Sequence, residues 1–230
     1  MLQRFQRIFD LHIRLEFQRI FHGPKLPVPL ATGQPLQFDP GSRSCYSNFG
    51  YCVLGRVIEK VTGKSYVTYI QEKILAPLGI KSVALGRTLP RQRNPREPIY
   101  VDPGEGRNVV EPQSKKPVPT PDGTFYLEAM DSHGGLIASA PDLVRFLNAY
   151  WISGQPRKGN GATYAFFGSL PGTFTLVMQQ PNGLNLAALF NQRTDKSGLS
   201  YEKIGDIMRE ASNSQTGGEV HYAVVWIKDK

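Results

Sequence analysis

Tyr46 and Asn48 stand two residues apart, with Ser47 between them, where a turn containing Pro40-Gly41 gives way to apolar residues at helical spacing. A phenol and a side-chain amide in that position can be aimed into one cleft. Tyrosine works as a general base only if its pKa, about 10 when unperturbed, is brought toward neutrality. A drop of about three units needs about 4 kcal/mol of differential stabilisation of the phenolate, normally from a nearby cation. The triplet therefore implies a lysine or arginine partner; without one it reads as a surface tyrosine beside a helix cap.

Other chemistries have less support. His12, His22, His133 and His221 are isolated, no His-x-x-x-His occurs, and no Cys/His set has metal-ligand spacing, so neither a metal nor another cofactor is expected. Cys45 and Cys52 flank the triplet seven residues apart, an awkward span for a disulfide if Asn48 starts a helix, and both read as small packed residues. The formal net charge is +8, but the basic residues are scattered without a stripe of interleaved aromatics, which argues against a nucleic-acid site. A chain of 230 residues with 40% apolar and 10% aromatic content can bury a core of its own. No run of about twenty apolar residues suggests a membrane span, and no secretory signal peptide is recognisable; the compartment stays open.

The elements that must position the triplet follow from periodicity. Phe49, Val53, Val57 and Val61 predict a helix from Asn48 that Gly63 ends. Ser65 caps the next helix, with Tyr66, Tyr69, Ile70 and Ile74 on one face and Pro77 as its stop. Arg87 to Gly123 carries eight prolines and few apolar residues, and reads as a long insertion, either a wall of a cleft or a surface excursion. Ser139-Ala140-Pro141-Asp142 is a capping box opening a helix to about Tyr150, with Leu143, Phe146 and Leu147 inward. Tyr164 to Phe167, Thr173 to Gln179 and Leu184 to Asn191 predict three strands, with Ser169 to Gly172 as the first turn and Pro181-Asn182-Gly183 in the second. Ser200 is placed as the cap of a helix carrying Ile204, Ile207, Met208 and Ala211.

At the ends, Phe5, Phe9, Ile13, Phe17 and Phe21 favour an amphipathic helix, although residues 11–17 also alternate as a strand would. Val220 to Ile227 looks like a strand. The expected organisation is an N-terminal helical segment over residues 1–30, a main domain over 31–211 with the Pro-rich insertion at about 87–123, and a linker and strand over 212–230.

The triplet, the following Gly50-Tyr51-x-x-Leu54-Gly55-x-x-Ile58-Glu59, then Thr62-Gly63-x-Ser65-Tyr66 and Pro77-Leu78-Gly79, resemble the serine β-lactamase and penicillin-binding-protein-like hydrolases, most nearly the class C β-lactamase and esterase branch. The likeness extends through Gly134-Gly135-Leu136 and Leu170-Pro171-Gly172 to Phe190-Asn191. It implies an α/β (α+β) fold, an antiparallel sheet flanked by helices, and acyl transfer on a small ester, amide or β-lactam. Tyr46 would be the base that helps deprotonate a serine, and Asn48 the anchor of the substrate amide and the serine's neighbouring lysine. Gly134 and Gly135 would shape the floor of the site, and the backbone at Gly168 and Ser169 would bind the oxyanion.

Two departures qualify the expected activity. No serine followed three positions later by lysine lies among the 45 residues before Tyr46; the one literal Ser-x-x-Lys, Ser200 to Lys203, comes about 150 residues too late. The polar third motif of the family falls on Phe166-Phe167-Gly168, where phenylalanine offers neither charge nor hydrogen bond. The expectation is an inactive or weakly active relative lacking the nucleophile segment, with a non-catalytic binding module holding an apolar pocket as the alternative.

Overall fold

The computed structural model describes residues 38–39, 41–43, 45–152, 164–193 and 201–213. The expected N-terminal helix, the Ser200 cap and the strand at Val220 lie outside them. Two compact units divide the chain: Met1–Tyr69 with Ala129–Gly135, and Ile70–Glu128 with Leu136–Lys230.

The first unit is built on α1, Asn48–Thr62. Ser47 holds extended backbone angles and its Oγ accepts from the Gly50 amide at 3.1 Å, which satisfies one of the orphan donors of the first turn. Gly63 closes the helix in the left-handed conformation at φ 68°, its amide donating to the Glu59 carbonyl. The buried residues of α1 are Cys52, Val53 and Gly55, while Phe49 and Val61 of the predicted stripe are exposed. The stripe does not mark the buried face because a polar residue, Arg56, shares that face and is itself largely covered. Cys45 is exposed rather than packed, and both cysteines are free. The short helix α2, Tyr66–Ile70, starts where the Ser65 Oγ accepts from the Thr68 amide.

In the second unit, Gln71–Leu75 forms a π-helical turn and Ala76–Leu78 a 3₁₀ turn that includes Pro77; Gly79 ends it at φ 69°. Leu75, Ile80 and Val83 form a core cluster, with Ile70, Ile74, Leu78, Leu136, Ala138 and Phe146 packed against it. Each such aliphatic side chain contributes about 1.5–3 kcal/mol when fully buried. Strands β1, Ala84–Leu85, and β4, Leu136–Ile137, pair antiparallel beside it, as do β2, Glu105–Gly106, and β3, Val118–Pro119. Helix α3, Ala140–Ala149, starts at the Ser139 cap as expected. Its fully buried positions are Asp142, Val144 and Leu147, so Leu143 and Phe146 are only partly covered. Asp142 is drawn inward because its carboxylate accepts hydrogen bonds from Ser82, Ser139 and Arg145. Burial pushes this carboxyl up, but those donors outweigh it and hold the group below its ordinary value.

The main sheet is an antiparallel meander in the order β5-β6-β7: Tyr164–Leu170, Thr173–Gln179 and Asn185–Phe190. None of these strands contains Asp, Glu, Lys, Arg or His. Strand β5 runs on through Gly168, Ser169 and Leu170, which pair with Thr175, Phe174 and Thr173, so the turn is shorter than expected and centres on Pro171-Gly172. Phe174, Leu176 and Met178 of β6 are buried at period two, and the Leu176 side chain lies beside Gly205 of helix α4, Tyr201–Asn213. The buried Gln179 side chain donates to the Leu147 and Tyr150 carbonyls and accepts from the Ile152 amide, each at 2.9 Å, and so satisfies the carboxyl end of α3.

Candidate active site

Tyr46 and Asn48 meet at the start of α1. The Tyr46 hydroxyl donates to Asn48 Oδ1 at 2.8 Å, and the Tyr46 ring lies 5.6 Å from that of Tyr51, tilted by 45°. Tyr46 is 62% exposed, so its hydroxyl sits where a small molecule can reach it. The local cause is the cap: with Ser47 fixed by the Gly50 amide, residues 46 and 48 project from the entry of the helix, where the macrodipole favours negative charge. An anion held by the Asn48 amide gains from that placement.

Gly134 and Gly135 belong to the same unit, in a tight turn. The amides of His133 and Gly135 both donate to the Met130 carbonyl, at 3.0 and 2.8 Å, and Gly134 takes φ 127°, a conformation that L side chains rarely adopt. The turn is tied to α1 by a polar cluster that the sequence reading did not single out. Arg56 bonds Glu59 at 2.8 Å on its own helix and pairs with Asp131, 75 residues on. A Cβ on Gly55 would come within 2.5 Å of the Ser132 Cβ, so glycine is what lets the turn approach the helix. Arg56 Nε, Asp131 Oδ1, Ser132 Oγ and His133 Nδ1 are buried with no hydrogen-bond partner, a concentration of unsatisfied polar groups unusual in so small a volume. Burial lowers the His133 pKa against the pull of Asp131, and burial raises those of the Cys52 thiol and the Tyr66 phenol. The available signal was Arg56 itself, one turn from Cys52 on the covered face of α1.

Gly168 and Ser169 lie in the second unit, on β5. That strand has one neighbour among the described residues, β6, so its far edge presents backbone groups outward. Phe166 and Phe167 beside them are 46% and 66% exposed. The Phe167 ring stacks 6.1 Å from Phe174, which in turn lies 6.2 Å from Phe190, and Tyr164 lies 5.5 Å from Trp151. The edge is thus an aromatic surface without charge.

The Pro-rich insertion is more ordered than its composition suggested, because polar side chains do what apolar ones do elsewhere. Thr88, fully buried, donates to Glu128 at 2.5 Å and accepts from the Leu127 amide at 2.8 Å. Asn108, also buried, accepts from the Val110 and Glu111 amides, both at 3.0 Å. Arg93 donates to the carbonyls of Arg87, Thr88 and Pro121 and to Asp122. Its guanidinium sits 5.1 Å from the centre of the Tyr100 ring. Burial and the hydrogen bond with Glu97 push the Tyr100 phenol well up. The insertion also reaches the sheet: Val101 N donates to the Asn191 carbonyl and Asn191 Nδ2 to the Ile99 carbonyl, both at 2.8 Å, and Gly172 N donates to Asp102 at 3.2 Å.

Residues 27–224 match the family model described as Beta-lactamase. The chain belongs to the β-lactamase family. Among curated relatives it is 24% identical over 142 residues to the N-acetylmuramyl-L-alanine amidase of Bacillus subtilis (strain 168), covering 56% of this chain and 31% of that protein. It is 29% identical over 142 residues to the human serine beta-lactamase-like protein LACTB, mitochondrial, covering 61% of this chain and 22% of that protein. The chain thus spans about a third or less of these relatives' length. Among solved structures, the D-amino acid amidase from Ochrobactrum anthropi SV3, complexed with D-phenylalanine, superposes with a TM-score of 0.56 at 19% identity, covering 82% of this chain and 64% of that one. The helices and antiparallel sheet are those of the β-lactamase fold, as the resemblance at Tyr46-Ser47-Asn48 implied. Among the described residues, no helix is long and apolar enough to cross a membrane.

Proposed function

We infer that this β-lactamase-family domain supplies the base, anchoring and oxyanion groups of a serine hydrolase that acts by acyl transfer on a small ester, amide or β-lactam. The observation that carries this reading is the 2.8 Å hydrogen bond from the Tyr46 hydroxyl to Asn48 at the capped entry of α1. In the proposed reaction a serine oxygen attacks the substrate carbonyl while its proton passes to the Tyr46 oxygen. The ester or amide bond then breaks, the leaving alcohol or amine takes the proton back, and water releases the acyl group by the same route. Asn48 holds the substrate amide, the Gly134-Gly135 turn floors the site, and the backbone at Gly168 and Ser169 binds the oxyanion through its outward-facing amide, a role that survives side-chain substitution because the donor is a backbone group. The cation that the Tyr46 phenolate requires is the lysine of a Ser-x-x-Lys segment. None stands ahead of Tyr46 in these 230 residues, so the chain by itself turns over weakly or not at all.

Intact-mass spectrometry after incubation with a penicillin and, separately, with an activated short-chain ester tests this. An adduct on one serine that Tyr46→Phe abolishes would show an alternative nucleophile working with Tyr46. Absence of any adduct from the folded chain, persisting when a Ser-x-x-Lys peptide segment is added, would rule the acyl-transfer reading out.

The aromatic edge of β5 favours a second reading, a binding module for a neutral apolar ligand. Saturable binding of a neutral aryl amide without covalent adduct would mark it out.

A further inference from the structure

We propose that Arg93 is a positioning residue for the oxyanion-binding end of β5, acting through the insertion and the Pro171-Gly172 turn; this rests on the assignment of Gly168 and Ser169 as oxyanion donors. The path is continuous within the second unit. The Arg93 side chain is only 10% exposed, and its fork engages the Thr88 carbonyl at 2.9 Å, the Pro121 carbonyl at 2.6 Å, the Arg87 carbonyl at 3.2 Å and Asp122 at 2.8 Å. One planar group thereby fixes both ends of the insertion, residues 87–88 and 121–122, and lies over the Tyr100 ring.

Tyr100 and Pro121 are the residues that meet the turn. A Cβ on Gly172 would come within 2.9 Å of the Tyr100 Cβ and 3.0 Å of Pro121, and Gly172 holds φ 77° there. Asp102 completes the lock. One carboxylate oxygen accepts from Gly104 at 2.9 Å and the other from Gly172 at 3.2 Å. Asn191 at the end of β7 brackets residues 99 and 101 from the other side. Gly172 lies three residues after Ser169, and Leu170 is the last paired residue of β5, so displacement of this turn is transmitted directly to the Ser169 amide. The insertion is accordingly a fixed part of the site rather than a surface excursion.

Lysine cannot replace this arginine, because an ammonium has no planar fork to span several carbonyls and a carboxylate. Arg93→Met, Arg93→Lys and Asp102→Asn would be compared with the unaltered chain by amide hydrogen exchange and amide chemical shifts, with Ala187 in β7 as an internal reference. In both Arg93 variants the Gly104 and Gly172 amides are expected to lose protection by roughly tenfold or more, and the Gly168 and Ser169 resonances to shift, while Ala187 keeps its protection. With 4-nitrophenyl acetate as probe, kcat is expected to fall by about 10- to 100-fold with KM unchanged, the signature of a misplaced transition-state group. Unchanged exchange and shifts at these four glycine and serine amides in a folded Arg93→Met chain would overturn the proposal. Should that variant fail to fold, Asp102→Asn decides by the same readouts. If the unaltered chain shows no turnover, as the missing Ser-x-x-Lys segment allows, the exchange and chemical-shift data alone judge the lock, and the hydrolase reading is judged separately by the adduct experiment.

Discussion

The β5-β6-β7 sheet and the insertion beside it are held together by opposite means. The sheet carries no Asp, Glu, Lys, Arg or His and relies on period-two burial of Phe174, Leu176 and Met178. The insertion buries Leu89 and Pro121 but otherwise relies on Thr88, Arg93, Asn108 and Asp102, each making two or more hydrogen bonds to backbone or carboxylate. Apolar burial is non-directional and tolerates adjustment, whereas a polar lock works only if every donor and acceptor is met. A long proline-rich segment can therefore be rigid without a hydrophobic core of its own.

Substitutions can break this contrast in graded steps. The largest effect is expected from Phe174→Ala, which deletes the centre of the Phe167-Phe174-Phe190 row and should cost about 3–5 kcal/mol in urea unfolding. Thr88→Val keeps the shape and the backbone hydrogen bond to Glu128 but removes the hydroxyl partner of the other Glu128 oxygen and of the Leu127 amide; a loss of about 2 kcal/mol is expected, together with proteolytic sensitivity confined to the insertion. A loss below about 0.5 kcal/mol would show that the polar lock contributes little.

Acid should separate the two regions next. Burial pushes the Glu128 carboxyl up, but the Thr88 hydroxyl and backbone amides bring its pKa below the ordinary 4.5; Asp142 is likewise held below 3.8. A carboxyl lowered in the fold contributes stability that is fully present above its unfolded pKa and is lost as pH falls through the folded value. Melting temperature should therefore begin to drop below about pH 4.5, and Thr88→Val should remove part of that dependence. His133 has the same sign at higher pH: held neutral by burial, it should destabilise the first unit as pH falls below 6.5, a slope that His133→Gln abolishes. The smallest stability effect is expected at Phe167→Ser, within about 0.5 kcal/mol because the ring is 66% exposed; its consequence should appear instead as weaker binding of neutral aryl amides.

What could be read in advance was local. Tyr46 and Asn48 are two residues apart, the Ser47 cap and the Gly63 stop fall within one helix, and the three strands are short apolar runs punctuated by turn residues, with β6 alternating in burial. Each depends on backbone periodicity or on a side chain reaching its own neighbours, and both are functions of nearby sequence alone. The family resemblance rested on the same short-range pattern, and it held. Gly168 and Ser169 were expected at the edge of a turn but lie within β5, because ladder pairing to Phe174 and Thr175 extends the strand further than its own residues require.

The sequence by itself thus determined the capped entry of α1 with its Tyr46–Asn48 pair, the antiparallel meander and the charge-free character of its strands. Only the tertiary structure decided which polar residues are buried. Arg56 meets Asp131 across 75 positions, Gly172 meets Asp102 across 70, and Arg93 gathers carbonyls from both ends of the insertion. No periodicity marks such partners in advance. An arginine on a surface and an arginine holding a loop look alike until the fold brings the acceptors to it, and the free energy that selects the second is that of desolvated groups finding every partner at once.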